Sequence, residues 1–318
     1  AFYVSGDKPV VGYLPGTSLP NPDLRWQTTT ALNTGIDFAL FDRRLSGSFE
    51  YYKSNTTDLL VDSKIPTVLG YSNIPANLGE IQNTGVEASV TGYLVSTKDF
   101  NWSATINFSK NKNELVKGVL QDGETGEYID DVNNRWFIGE PINVYYDYRA
   151  IGIWQLDDDI ANSPQPNARP GDIRVADISG PDGVPDNLIT TDDREVIHQD
   201  PDWLGSLSTS MNYKGFELSA DLYTVQGALW SNPFLSDYNH GGRLDGILNG
   251  IKQNYWTPEN TSGTAYRPNA TLTSDYRGSY DYQDASYIRL RNITLAYNLP
   301  AKWLKTIGLS RVKVFAAG

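Results

Sequence analysis

Two stretches of the 318-residue chain carry the residue types best suited to binding chemistry. From Pro170 to Ile197 the sequence reads PGDIRVADISGPDGVPDNLITTDDREVI. In it Asp177, Ser179, Asp182 and Asp193 follow in an order close to the D-x-[DN]-x-[DN]-G calcium loop, with Gly183 at the turn. Hard oxygen donors in that order suit Ca2+. Against this, Pro181 and the run Pro185 to Leu188 lengthen the loop, and a serine hydroxyl is a poorer ligand than a carboxylate. A solvated acidic loop is therefore the competing reading.

The second stretch, 228–285, sets Trp230, Phe234, Tyr238, Trp256, Tyr266, Tyr276, Tyr280 and Tyr282 among Asn, Asp and Arg residues. Flat rings beside amides and carboxylates match the faces and hydroxyls of sugars. Trp230, Tyr238, Trp256, Tyr276 and Tyr280 are the candidate ligand contacts. The alternative is that the rings pack the loop against itself or against a partner. Catalysis finds no support: His198 and His240, the two histidines, fall in different loops with no triad spacing, and Asp157, Asp158 and Asp159 form an acid run of the kind usually solvated. No cofactor is implied beyond the calcium candidate.

Composition narrows the elements that hold these residues. A net charge of -12 and a pI near 4.6 repel a phosphate backbone, which excludes nucleic acid as a partner. The absence of cysteine excludes disulfides, thiolate metal sites and a cysteine nucleophile. No run approaches the roughly 20 apolar residues of a spanning helix, so a membrane location is open only to a barrel. The 20 Tyr and 8 Trp suit interfacial girdles or sugar-stacking loops. The first residues, AFYVSGDKPV, carry no secretory signal, and the last, VKVFAAG, lie inside a strand-like run; both ends are expected to be cuts through a larger protein.

Alternation in segments of about ten residues matches tilted strands crossing a bilayer. Leu32, Thr34, Ile36, Phe38 and Leu40 share a face, and the turn FDRR joins them to Leu45, Gly47, Phe49 and Tyr51. Val86, Ala88 and Val90 then alternate with Glu87, Ser89 and Thr91, and Trp102, Ala104, Ile106 and Phe108 with Ser103, Thr105, Asn107 and Ser109. Leu207 to Tyr213 and Phe216 to Tyr223 form a hairpin around Lys214 and Gly215, and a phase shift in 286–297 predicts a bulge near Asn292. Residues 311–315 begin another strand, and two more are expected at 127–138 and 142–154. Each opposite face is too polar for a core. The reading is all-β: a transmembrane antiparallel up-and-down β-barrel, with about ten strands giving about half of a 22-stranded wall. Residues 1–318 form one partial barrel domain, with short turns on one side and extracellular loops near 58–83, 112–126, 155–204 and 228–285. A soluble, aromatic-rich carbohydrate-binding β-domain is the alternative.

From residue 20 onward several passages resemble the SusC/RagA family of TonB-dependent outer-membrane transporters. PNPDLRWQTTTALNTGIDFALFDRRLSGSFEYYKSNTTDLL resembles a family hairpin that opens on Asn-Pro-x-Leu-x-Trp. NLGEIQNTGVEASV and NFSKNKNELV resemble the start and end of its next strands, Pro170 to Ile197 its acidic Gly-rich loop, and DASYIRLRNITLAYNLP a late barrel strand. The resemblance implies active import of oligosaccharides or peptides across the outer membrane of a Gram-negative cell. It also implies a SusD-like surface lipoprotein as lid, the TonB complex as energy source and membrane lipid around the wall. The family's plug, its TonB-contacting segment and its closing strand have no counterpart in these residues, so TonB would act through a missing N-terminal region.

Overall fold

The computed structural model describes residues 2–5, 8–11, 18–64, 68, 70–232, 253–268, 276–305 and 308–318. Its principal element is an antiparallel sheet of eight strands: β1 (Thr28–Leu40), β2 (Leu45–Thr57), β3 (Glu80–Ser96), β4 (Phe100–Lys117), β5 (Trp203–Tyr213), β6 (Phe216–Gln226), β7 (Tyr287–Asn298) and β8 (Lys313–Ala317). The spatial order is the sequence order, β1 to β8, the up-and-down pattern that alternation and short turns predict. Among the described residues no helix is long and apolar enough to cross a membrane.

Turn chemistry at one end of the strands explains the hairpins. Lys214 and Gly215 both adopt positive φ, 45° and 92°, the left-handed pair that a two-residue hairpin needs to match strand twist. Phe41, Asp42 and Arg43 are likewise left-handed, and Arg44 N–H closes the turn on the Phe41 carbonyl at 3.1 Å. The connections at the other end are 58–79, 118–202 and 227–286, far longer than the turns. The expected bulge is present. Asp221 pairs with Asn292 and Leu222 with Leu290, which leaves Arg291 as the extra residue.

Two expected wall strands are corrected. Tyr128–Ile129 is a two-residue strand paired with Leu120–Gln121, while Val144–Tyr148 pairs with Arg194–His198 and Ala150–Ile153 with Ile173–Val175, all outside the large sheet. Their side-chain alternation is that of a wall strand, but their hydrogen-bond partners lie within the same long connection. Among the described residues the sheet therefore has eight strands rather than about ten.

The chain falls into two compact units, the first comprising Ala1–Ile36, Phe49–Glu87 and Asn111–Ile142, the second Asp37–Ser48, Ala88–Lys110 and Asn143–Gly318. In the first, the Tyr52 ring lies over Gly85, where an added Cβ would fall 2.3 Å from Cζ. The Tyr52 hydroxyl then donates to Asn111 Oδ1 at 2.9 Å, so one side chain ties three strands on their polar face. Leu115, near the end of β4, and Phe137 are buried in the same unit, with Leu115 N–H on the Glu140 carbonyl.

In the second unit the sheet keeps its apolar residues at the surface. Ile106, Leu207, Leu222 and Leu290 are cross-strand neighbours on β4 to β7, and Ile106 and Leu290 are 57% and 51% exposed. The opposite face carries Asn107, Ser206, Tyr223 and Arg289 at the adjacent level. Aromatic rings bracket the apolar band: Phe108 meets Trp203 at 5.8 Å at the loop end, and Phe100 meets Tyr213 at 6.3 Å at the turn end. Trp203 to Tyr213 on β5 spans roughly 34 Å along the strand, and a tilt of about 40° projects this to about 26 Å, close to the apolar band of a membrane barrel. Trp102 belongs to that face, and Thr209 accepts its indole N–H at 2.9 Å, which explains a hydroxyl in an otherwise apolar row.

Candidate ligand-binding surface

The second unit holds its buried core in the long connections rather than in the sheet. Ile173, Val175 and Tyr266 form the centre, with Tyr148, Ile189, Tyr276 and Tyr280 packed around it. Gln165 is its polar hub. Its Oε1 accepts from Trp154 Nε1 at 3.2 Å and from Val175 N–H at 2.9 Å, and its Nε2 donates to the Ile173 carbonyl at 3.2 Å. A buried amide so fully bonded fixes the loop without leaving a desolvation cost.

Asp172 extends the hub. Its carboxylate accepts from Arg169 N–H at 2.8 Å and pairs with Arg267, and Trp256 closes the same region. Gly171 has a positive φ of 90°, and an added Cβ would meet the Trp256 ring at 2.4 Å. The Trp256 indole donates to Gln155 Oε1 at 2.9 Å, and the residue is 2% exposed. Trp256, expected among the ligand contacts, thus packs inside the loop and offers no free ring face.

The remaining aromatic candidates divide. Trp230 lies on the short strand Leu229–Ser231, paired with Tyr282–Asp284, and is 56% exposed. Tyr276 and Tyr280 are half-buried: Tyr276 meets Tyr148 edge-on at 5.0 Å, and Tyr280 meets Tyr266 edge-on at 5.1 Å. The Tyr280 hydroxyl donates to the Thr264 carbonyl at 3.1 Å, and burial, with Tyr255 and Asp281 nearby, pushes its phenol above the ordinary tyrosine value. Tyr276 borders a cleft of about 370 Å³ whose walls include Pro164, Pro166, Asn167, Ile173 and Leu188. Tyr238 and His240 lie outside the described residues.

Sequence reasoning missed the rings of Tyr145, Tyr146 and Tyr148, of which Tyr145 joins Tyr282. Tyr145 stacks on Tyr282 at 4.7 Å, and the Tyr282 hydroxyl donates to Asp147 Oδ2 at 3.1 Å. The Arg194 guanidinium lies 6.0 Å and 5.5 Å from the rings of Tyr146 and Tyr148. A hydrogen bond with Tyr148 is the main cause that raises the Arg194 pKa. The alternation of VYYDY assigned these residues to a wall strand, which hid their role.

The acidic loop is organised by its own amides. Asp193 is completely buried; Oδ1 accepts from Ile178 and Ser179 N–H at 2.8 and 3.2 Å, and Oδ2 from Thr190 N–H at 2.7 Å. Thr190 and Asp193 also cap the short turn Thr191–Asp193 reciprocally. Asp177 accepts from Asp186 and Asn187 N–H at 3.3 and 2.8 Å, while Asp182 is exposed. Among the described residues no three Asp, Glu or His side chains converge as a metal-binding set. Asp158 and Asp159 bond Gln155 N–H and the Asn162 amide, and His198 lies on the exposed end of its strand.

Residues 3–316 match the family described as TonB-dependent receptor-like, β-barrel. The chain belongs to that family. Among TonB-dependent receptors, P3 of Formosa agariphila is 32% identical, over 100% of this chain and 31% of its own length. The TonB-dependent receptor SusC of Bacteroides thetaiotaomicron is 29% identical over 89% of this chain and 27% of its own. The RagAB peptide importer in its open-open state superposes with a TM-score of 0.72 at 24% identity, over 100% of this chain and 33% of that chain. The chain thus spans about a third of the length of these TonB-dependent receptors. Its eight-stranded meander is part of their barrel, as the sequence resemblance implied, and the family is one of receptors and transporters rather than enzymes.

Proposed function

We propose that the chain builds part of the wall and loop surface of an outer-membrane importer of bulky nutrients, either oligosaccharides or peptides. In this reading the apolar face meets lipid, the polar face lines the lumen and the long connections face outward. A SusD-like lipoprotein covers them, and a TonB complex drives uptake through a part of the transporter outside this chain. The observation that carries the proposal is the inverted sheet: Ile106, Leu207 and Leu290 are left at the surface between two aromatic rows, while Ser206, Asn107 and Arg289 share the other face. Relatives described as TonB-dependent receptors, SusC among them, support the importer reading. A soluble carbohydrate-binding domain is disfavoured, because it would have to bury those stripes.

The test is membrane behaviour followed by uptake. Full-length protein should require detergent for extraction, co-purify with a surface lipoprotein and lose uptake when TonB is deleted; release into aqueous buffer would refute the assignment. Within the loops, Trp230, Tyr276 and the cleft beside Tyr276 are the proposed ligand contacts. Substituting Trp230 or Tyr276 by Ala should weaken ligand binding, and unchanged binding removes that ring from the site. Calcium would join the acidic loop only by drawing Asp193 away from three amides. A lanthanide anomalous peak beside Asp177 and Asp182 is the result that supports it.

A further inference from the structure

The bulge on β7 gathers an unusual set of side chains on the polar face. In an unbroken strand Arg289 and Arg291 share a face and Asn292 takes the other. The extra residue shifts the phase, so Asn292 joins Asp221, its Nδ2 3.5 Å from Asp221 Oδ2. The Arg291 guanidinium stacks 3.8 Å from the ring centre of Tyr223, and Tyr287 stands 6.2 Å from the same ring. Arg289 is the cross-strand neighbour of Tyr223.

Both arginines are exposed, and neither makes an ion pair among the described residues, although Arg149, Arg267 and Lys313 each do. In a chain of net charge -12, two guanidiniums two residues apart on one strand, without an ion pair among the described residues, form a local inversion of charge. The contact with Tyr223 holds Arg291 in place, which reduces the ordering needed on binding, and a planar guanidinium matches a carboxylate with two parallel hydrogen bonds. The Tyr223 and Tyr287 rings add flat surfaces for the body of the ligand.

We propose that Arg289 and Arg291 form an anion-selecting subsite for carboxylate groups of the transported oligomer, an inference that rests on the polar face being the lumen. Asp221 limits the subsite at one end by repelling a further carboxylate. Acidic sugars and acidic peptides present the same group, and the experiment separates them.

The full-length transporter with its lipoprotein is tested for binding of oligogalacturonate against a neutral malto-oligosaccharide, and of hexaglutamate against hexaglutamine. The Arg289→Gln, Arg291→Gln double variant should weaken the carboxylated ligand of the series that binds by roughly tenfold, as two solvent-exposed charge pairs imply, and leave its neutral counterpart unchanged. The Arg→Lys double variant should retain part of the preference. Three results overturn the proposal: no binding of either acidic series to the unaltered protein, equal loss for charged and neutral ligands, or intact binding with lost uptake of every probe. The last would assign the arginines to contacts with the transporter's own chain. In a cysteine-free background, Arg289→Cys should react with a membrane-impermeant maleimide on intact cells and Ile288→Cys should not. The reverse pattern sinks the lumen reading itself, whereas correct labelling without charge preference sinks only the subsite.

Discussion

Leu207 and Ile173 are aliphatic residues on antiparallel strands, and the molecule treats them oppositely. Leu207 stays at the surface of the sheet in line with Ile106, Leu222 and Leu290. Ile173 is 1% exposed, at the centre of a cluster made by the connections between sheet strands. The wall is held by ladders of backbone hydrogen bonds and, in the proposed setting, by lipid; the loops are held by a dry core with Gln165, Asp172 and Asp193 as bonded polar hubs. A single chain thus contains a protein with its apolar residues outward and another with them inward. In the proposed setting each is stable because its own solvent is different.

The comparison can be broken most strongly at Trp256. Trp256→Ala empties a site deep in the loops and should cost about 3–5 kcal/mol of local stability. Hydrogen exchange should rise around 154–175 and 254–267 and stay unchanged in β5 and β6; a wall that loosens equally would erase the distinction. On the wall, Leu207→Arg should destabilise insertion by about 2–4 kcal/mol, measured by denaturant titration in vesicles, while Ser208→Arg on the polar face stays near neutral. Equal penalties would mean that both faces meet the same medium. Asp193→Ala leaves three amides without an acceptor and should cost about 2–3 kcal/mol, read as faster exchange across 177–193.

The smallest effect is expected at Asp122, whose carboxylate is held below its ordinary range by the Thr125 and Glu124 amides and the Thr125 hydroxyl. A lowered folded-state pKa gives stabilisation that is present above the unfolded value and lost as pH falls through the folded one. The turn from Asp122 to Gly126 should therefore hold through mildly acidic pH and loosen only below the ordinary carboxylate range. Carboxyl chemical shifts that titrate at the ordinary value would contradict this.

Much of the wall was legible because period-two alternation encodes a two-faced strand whatever its neighbours. Even the bulge announced itself, since Ile288 and Leu290 give way to Ile293 and Leu295 by one step of phase. What the sequence did not show shares a cause. Val144–Tyr148 alternates as a wall strand does, yet pairs with Arg194–His198, about fifty residues on; no local pattern specifies that partner. Trp256 was indistinguishable from Trp230 as an aromatic among polar residues, and only packing against Gly171 separates the buried ring from the exposed one. Asp193 fits a metal motif, and the tertiary structure adds which amides reach its oxygens, those of Ile178, Ser179 and Thr190.

Residue order alone determined the strand rhythm, the short turns, the acidic charge and the division between an apolar and a polar face, because these depend on neighbours within a few positions. The tertiary structure decided which strands join the sheet, which rings remain open to a ligand, and that Arg289, Arg291 and Tyr223 lie together. Those outcomes depend on contacts between segments tens of residues apart, which chain order permits but does not choose.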